Sequence, residues 1–214
     1  MFVEVGQKRV FACALDWPGW CRSGKDEAQA LEALASAAPR YARVAQDAGI
    51  SFPGDTAFDV VERLPGSSGT DFGVPGELAS LDIEPQAAED AERQARLLAA
   101  AWRVFDAVVA SAPASLRKGP RGGGRDRDAI IDHVLGAEAI YYARKLGVRL
   151  GQPARDDVSA IAAERAQILT VLSRPSDGRP AVENGWLPRH AARRIAWHVL
   201  DHAWEIEDRS DLSS

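Results

Sequence analysis

Hydrophobic positions change period along the chain. Near the start they fall in short β-branched and aromatic runs, Phe2 to Val5 and Val10 to Leu15, which is the pattern of strands. Gly6-Gln7-Lys8 supplies a turn between them, and Asp16-Trp17-Pro18-Gly19 ends the second run, so a hairpin is predicted. An alanine-rich helix should follow from about Lys25 to Ala48, with Ser23 as its cap, Gly49 as its stop and Pro39 as a break or kink. Phe58 to Leu64 alternates well enough for a third strand.

From Pro65 to about Ile83 the chain is rich in Gly, Pro and Ser and keeps neither period, so it reads as a linker. Beyond it, helical spacing predicts four segments: Gln86 to Ser111, Asp128 to Val148, Asp156 to Leu172 and Arg189 to Arg209. Leu98, Trp102, Phe105 and Val109 stripe the first at core spacing. The expected fold class is mainly α: a small α+β domain over residues 1–66, a linker over 67–83 and a four-helix bundle over 84–214.

Composition narrows the classes. Over 214 residues, 46% are hydrophobic and 27% charged, as in a folded globular protein. A net charge of −5 argues against a surface that tracks nucleic acid or anionic lipid as a whole. No stretch approaches the roughly 18 apolar residues of a spanning helix, and the start, MFVEVGQKRVF, lacks the pattern of an export signal. Cys13 and Cys21 are too few for a disulfide framework and lack C-x-x-C spacing. The expectation is therefore a cytoplasmic protein with reduced cysteines and no membrane partner.

The chain has four histidines, and His198 and His202 stand four apart in WHVLDHAWE. On a helix that spacing stacks two imidazoles on one face, as a single ion needs from adjacent turns. His133 sits early in another predicted helix, on the stripe it shares with Ala137 and Ile140. A ring there must find a partner. A core histidine bonded to a carboxylate or carbonyl competes with the metal reading for each residue alone. His190 lies off this face and reads as a cap or surface residue. Three nitrogen ligands leave a coordination position open for water or substrate, the pattern of a catalytic site. Zn, Ni, Fe and Mn all suit the donors.

Asp201 and Glu205 lie near the histidine stripe, where a carboxylate can orient a ligand ring or move a proton. Exposed ion pairing is the plainer reading of both. The last helix also begins with Arg189, Arg193 and Arg194 and ends with Glu205, Glu207, Asp208 and Asp211. That order opposes the helix dipole, so tertiary partners or a bound anion must compensate. Upstream, LRKGPRGGGRDRD carries Arg117, Lys118, Arg121, Arg125 and Arg127 against two acidic residues. Arg121, Arg125 and Arg194 are the candidates for holding an anionic part of a small-molecule substrate; a flexible solvated loop is the alternative. No aromatic residues interleave the basic ones, which weakens an RNA-binding reading.

With these residues in view, the segment from about Ala87 to Arg209 resembles the DinB-like (YfiT-like) superfamily of metal-binding four-helix bundles. The resemblance rests on His133 in DHVLGAEAIYYARKLG and on His198 and His202 in RRIAWHVLDHAWEIEDR. It implies one divalent metal ion and chemistry on a low-molecular-weight thiol such as mycothiol, in an isomerase or S-transferase. The stretch FACALDWPGWCRSGKDEAQALEALASAAPRY is similar to the HicB-type small α+β domain, which implies an accessory or dimerising role and a packed thiol at Cys21. The expected function is a metalloenzyme that activates a thiol or water against a small electrophile. Two readings compete with it: a non-catalytic protein-binding module, and a thiol-independent metal hydrolase. A homodimer is compatible with each.

Overall fold

The computed structural model describes residues 1–53, 57–119 and 123–210. The chain starts as a hairpin, β1 (Phe2–Val5) and β2 (Val10–Cys13), closed at Gly6, whose N–H donates to the Arg9 carbonyl at 2.9 Å. A strand that the sequence did not announce, β3 (Cys21–Gly24), pairs antiparallel with β2, and β4 (Glu62–Pro65) pairs parallel with β1. The order is β3-β2-β1-β4. The expected third strand therefore exists, but only its last part enters the sheet.

The predicted alanine-rich helix is two helices, α1 (Glu27–Ser36) and α2 (Ala38–Asp47), broken at Ala37 just before Pro39. The break follows from the missing N–H of proline and the clash of its ring with the preceding turn. Asp26, not Ser23, caps α1, accepting from the Gln29 N–H at 2.8 Å. Trp17, Trp20, Tyr41 and Phe52 form an aromatic cluster under these helices. The Trp20 indole donates to the Leu34 carbonyl at 3.0 Å and the Tyr41 hydroxyl to the Pro18 carbonyl at 2.9 Å, so its polar tips are answered.

Residues 67–83 are not a passive linker. They hold α3 (Ser68–Phe72) and a 3-10 turn (Ser80–Ile83), and they lie across the sheet. The buried Glu4 carboxylate collects the Thr70 hydroxyl and the N–H groups of Gly76 and Glu77, the last at 3.0 Å. Asp82 takes a forked guanidinium from Arg193, one arm at 2.6 Å. Gly- and Pro-rich composition here supplies tight turns for a strap that has its own polar anchors.

The helical part contains α4 (Ala88–Ser111), α5 (Arg127–Gly136), a π-helical segment (Ala137–Tyr142), α6 (Ala143–Lys145), α7 (Val158–Leu172) and α8 (Pro188–Ser210). The four segments read from helical spacing are thus present, the second interrupted. α4 and α8 form the principal pair, with α7 against both and α5 against α8. α8 is enclosed: every residue from Pro188 to Leu200 is buried. One hydrophobic core runs from Val3, Trp20 and Tyr41 through Leu98 and Phe105 to Leu200 and Trp204, so the sheet and the helices share it. Gly19 shows how closely they meet. It has φ +90°, and a Cβ there would lie 2.7 Å from Leu200 Cδ1, so only glycine fits the turn against α8.

Cys13 and Cys21 stand opposite each other in the β2–β3 register and are joined as a disulfide. The expectation of reduced cysteines, with a packed thiol at Cys21, is corrected by β3, which brings the pair face to face. Among the described residues no helix is long and apolar enough to cross a membrane.

The Asp82–Arg193 pair is the main polar rivet between strap and α8, with both side chains almost fully enclosed. Asp82→Ala leaves a buried guanidinium unpaired and should cost about 3–5 kcal/mol, read as a lower urea midpoint at unchanged slope.

Candidate metal centre

His198 and His202 project from successive turns of α8, and His133 projects from α5, which packs against it. Their ring centroids are 5.0 Å apart for His133–His198, 5.0 Å for His133–His202 and 4.7 Å for His198–His202. One nitrogen from each ring lies within 4.8 Å of the others, close enough to hold a metal ion. The Nε2 atoms of His133 and His198 are 3.1 Å apart. Two imidazoles on a tetrahedral zinc have their nitrogens about 3.3 Å apart, from metal–nitrogen bonds of about 2.0–2.1 Å. The donor set is one that suits a divalent ion, and the third ring would close a spread of up to 4.8 Å to meet it.

The surroundings prepare the nitrogens as ligands. His202 Nδ1 lies 2.9 Å from Glu205 Oε2. The pKa of Glu205 is held below the usual carboxylate range by that bond and, beyond it, by Arg209. An ionised carboxylate only accepts, so Nδ1 is the donor to Glu205 and Nε2 is the His202 nitrogen left for a metal. Arg209 fixes Glu205 in turn through a 2.6 Å contact. Burial pushes the His198 pKa down to about 2, helped by the neighbouring histidines and Arg194. Burial also lowers that of His133, with the charges of His202 and Arg125 acting in the same direction. Both rings are therefore neutral near pH 7, the form that binds metal.

The π-helical segment shapes the wall of this site. Tyr142 lies nine residues after His133, two and a half turns, which on an α-helix would set them on opposite faces. A π-bulge inserts a residue and shifts the phase. Tyr142 accordingly packs 5.5 Å from the His198 ring while His133 meets the same ring from its own turn. Trp186 extends the wall, in contact with Tyr142 and with His190. His190 is buried, and desolvation drives its pKa down to about 3. The expectation of a cap or surface residue is thus corrected: His190 begins the same i, i+4 row that reaches His198 and His202.

The other sequence candidates separate. Glu205 joins the site through His202. Asp201 instead pairs with Arg22 of β3 at 2.7 Å, under a guanidinium stacked 3.9 Å from the Trp204 ring. Arg125 is exposed, with its charge felt at His133 and His198. Arg121 lies outside the described residues. Arg194 is buried between Trp186 and Trp197. A cleft next to Glu205 is lined by Arg117, Lys118 and Arg209 with Gly123 and Gly124, so the basic loop does come to the edge of the histidine cluster. No family model, curated protein or solved structure matches the chain.

A second buried polar cluster went unnoticed in the sequence. Glu138, within the π-helical segment, accepts the Trp102 indole N–H at 2.5 Å and lies 3.5 Å from Arg165. Glu164 is buried beside it, and desolvation, with the Glu138 charge, pushes its pKa up to about 7. The only signal available was acidic residues on otherwise apolar helix faces. Because this folded-state pKa is raised, its stabilising contribution is complete below the ordinary carboxylate range and is lost as pH rises through about 7. Glu164→Gln should stabilise the protein by about 2 kcal/mol at pH 8.5 and by almost nothing at pH 4.5. Paired urea titrations at the two pH values check this, and an equal effect at both would contradict it.

Proposed function

We propose that the chain is a metalloenzyme in which His133, His198 and His202 hold one divalent ion for chemistry on a small electrophilic substrate. The observation that carries this reading is the convergence of three imidazoles with His202 oriented by Glu205. The resemblance of this segment to the DinB-like superfamily supports it and favours a low-molecular-weight thiol over water as the activated nucleophile. A bound ion of this kind supplies Lewis acidity that ionises a thiol or water near neutral pH.

The chain's own residues have distinct parts in this proposal. Desolvation keeps His198 and His133 unprotonated, so neither competes with the ion for its lone pair. Glu205 holds the His202 tautomer, and Arg209 holds Glu205. Tyr142 and Trp186 exclude water from one side. Arg117, Lys118 and Arg209, with Arg125 nearby, offer guanidinium and ammonium groups to an anionic part of the substrate at the cleft edge. Asp201, committed to Arg22, is left with a structural part. Zn, Ni, Fe and Mn remain the candidate ions.

Elemental analysis of protein purified without an affinity tag should give about one such metal per chain. His198→Ala and His202→Ala should abolish it while far-UV circular dichroism stays helical, and Glu205→Gln should weaken metal affinity about 10–100-fold. Wild-type protein that neither carries metal nor takes it up on titration would sink the metal site. The 3.1 Å contact between His133 and His198 would then be a ring-to-ring hydrogen bond inside a non-catalytic scaffold. With metal established, turnover that needs no added thiol would select the hydrolase instead of the thiol transferase.

A further inference from the structure

The first turns of α8 bury three arginines, Arg189, Arg193 and Arg194. Two are answered. Arg189 donates to the Pro85 carbonyl at 2.9 Å, and Arg193 forks onto Asp82. Arg194, only 9% exposed, has no hydrogen-bonded or ion-paired partner among the described residues, and its Nη1 is sealed from solvent. Its guanidinium lies 4.8 Å from the Trp197 ring and 6.0 Å from that of Trp186. Ring faces attract a cation, but they offer no lone pair along its N–H bonds. Nor can arginine escape by losing its proton at physiological pH.

Beside it, the Trp197 indole N–H is also buried and unanswered. Both side chains line one cavity in the seam between the sheet and α8, together with Phe2, Cys13, His190 and Glu4. Glu4 is not the missing acceptor. Its carboxylate is taken up by Thr70, Gly76 and Glu77, and burial raises its pKa. His190 is neutral there, since desolvation and Arg193 both oppose its protonation. The cavity is narrow, with room for a water-sized group or a compact ion and not for a larger metabolite.

We propose that this seam cavity binds a compact monovalent anion, of the size of chloride or formate, held by the Arg194 guanidinium, with the Trp197 Nε1–H turned toward it on binding. The occupant answers the buried cation of α8 that the described residues leave unpaired. It sits one helical turn before His198 and uses no atom of the histidine cluster, so it stands or falls independently of the metal reading.

The test uses the full chain, 15N-labelled, exchanged into sodium gluconate, whose anion is too large for the cavity. Formate and chloride are then titrated in at constant ionic strength while the Trp197 indole resonance, assigned through its absence in Trp197→Phe, is followed. A saturable shift is expected with one or both ions, weakened at least about tenfold in Arg194→Gln and retained in His202→Ala. A response no different from gluconate overturns the site, as does undiminished affinity in Arg194→Gln. Loss of the response in His202→Ala places the anion on the metal and also overturns it. Should Arg194→Gln fail to fold, Trp197→Phe decides. The formate-dependent rise in its melting temperature should need about fivefold more formate, as expected for one lost hydrogen bond, and an unchanged midpoint refutes the proposal.

Discussion

The enclosure of α8 is the constraint from which most of this structure follows. A helix sheathed on every side normally presents apolar residues all round. This one begins Pro188-Arg189-His190 and continues through Arg193, Arg194 and His198, all buried. Each polar group taken from water there needs a partner, since desolving a charge without one costs several kcal/mol. The surrounding elements are arranged around those needs. The strap after β4 brings Asp82 to Arg193 and ends at Pro85, whose carbonyl meets Arg189. α5 brings His133 to His198. The sheet contributes Arg22 to Asp201.

The same enclosure explains why the expected linker is a structural element. A flexible tether would leave Glu4 without the turns that hold its partners and Arg193 without Asp82. The strap instead covers the face of the sheet formed by Phe2, Phe11, Cys13 and Cys21, where Trp197 of α8 also packs. The opposite face, with Val3, Val10 and Ala12, joins the main core under α1 and α2. A sheet buried on both faces explains why β1 and β2 read as continuous apolar runs in which Glu4 alone breaks the pattern.

Where local pattern and tertiary need coincide, the sequence was readable. The β1–β2 hairpin, the lengths of α4, α7 and α8, and the H-x-x-x-H pair all rest on near-neighbour spacing, and the structure places them where the pattern does. His133 was placed with them because an apolar stripe makes a titratable ring conspicuous. What stayed hidden depends on contacts far apart in the chain. β3 has only four residues, Cys-Arg-Ser-Gly, with no strand signal of its own; it exists because β2 offers an edge. The disulfide depends on that register. The π-helical segment has an ordinary helical sequence, and its phase shift is imposed by Glu138 meeting Trp102 and Tyr142 meeting His198. His190 looks like a cap or surface residue, and Arg194 like a holder of a substrate's anionic part, until α8 is known to be central.

The charge order of α8 carries the last step of the argument. Cations at the start of a helix and anions at its end both oppose the backbone dipole, so the sequence demands compensation at each end. At the far end the answer comes from other elements: Glu207 and Asp208 meet Arg40 and Arg43 of α2, and Glu205 meets Arg209 and His202. At the near end Arg189 and Arg193 are matched by the strap. The histidine cluster lies between these two regions, where the backbone field is weakest and burial is the largest influence on the protonation of His198 and His133. Neutral imidazoles are favoured there without a nearby carboxylate touching His198 or His133, while the one carboxylate in reach, Glu205, acts on His202 from the solvent side. The helix thus separates its electrostatic liabilities toward its ends and keeps His198 and His202 between them, with His198 buried.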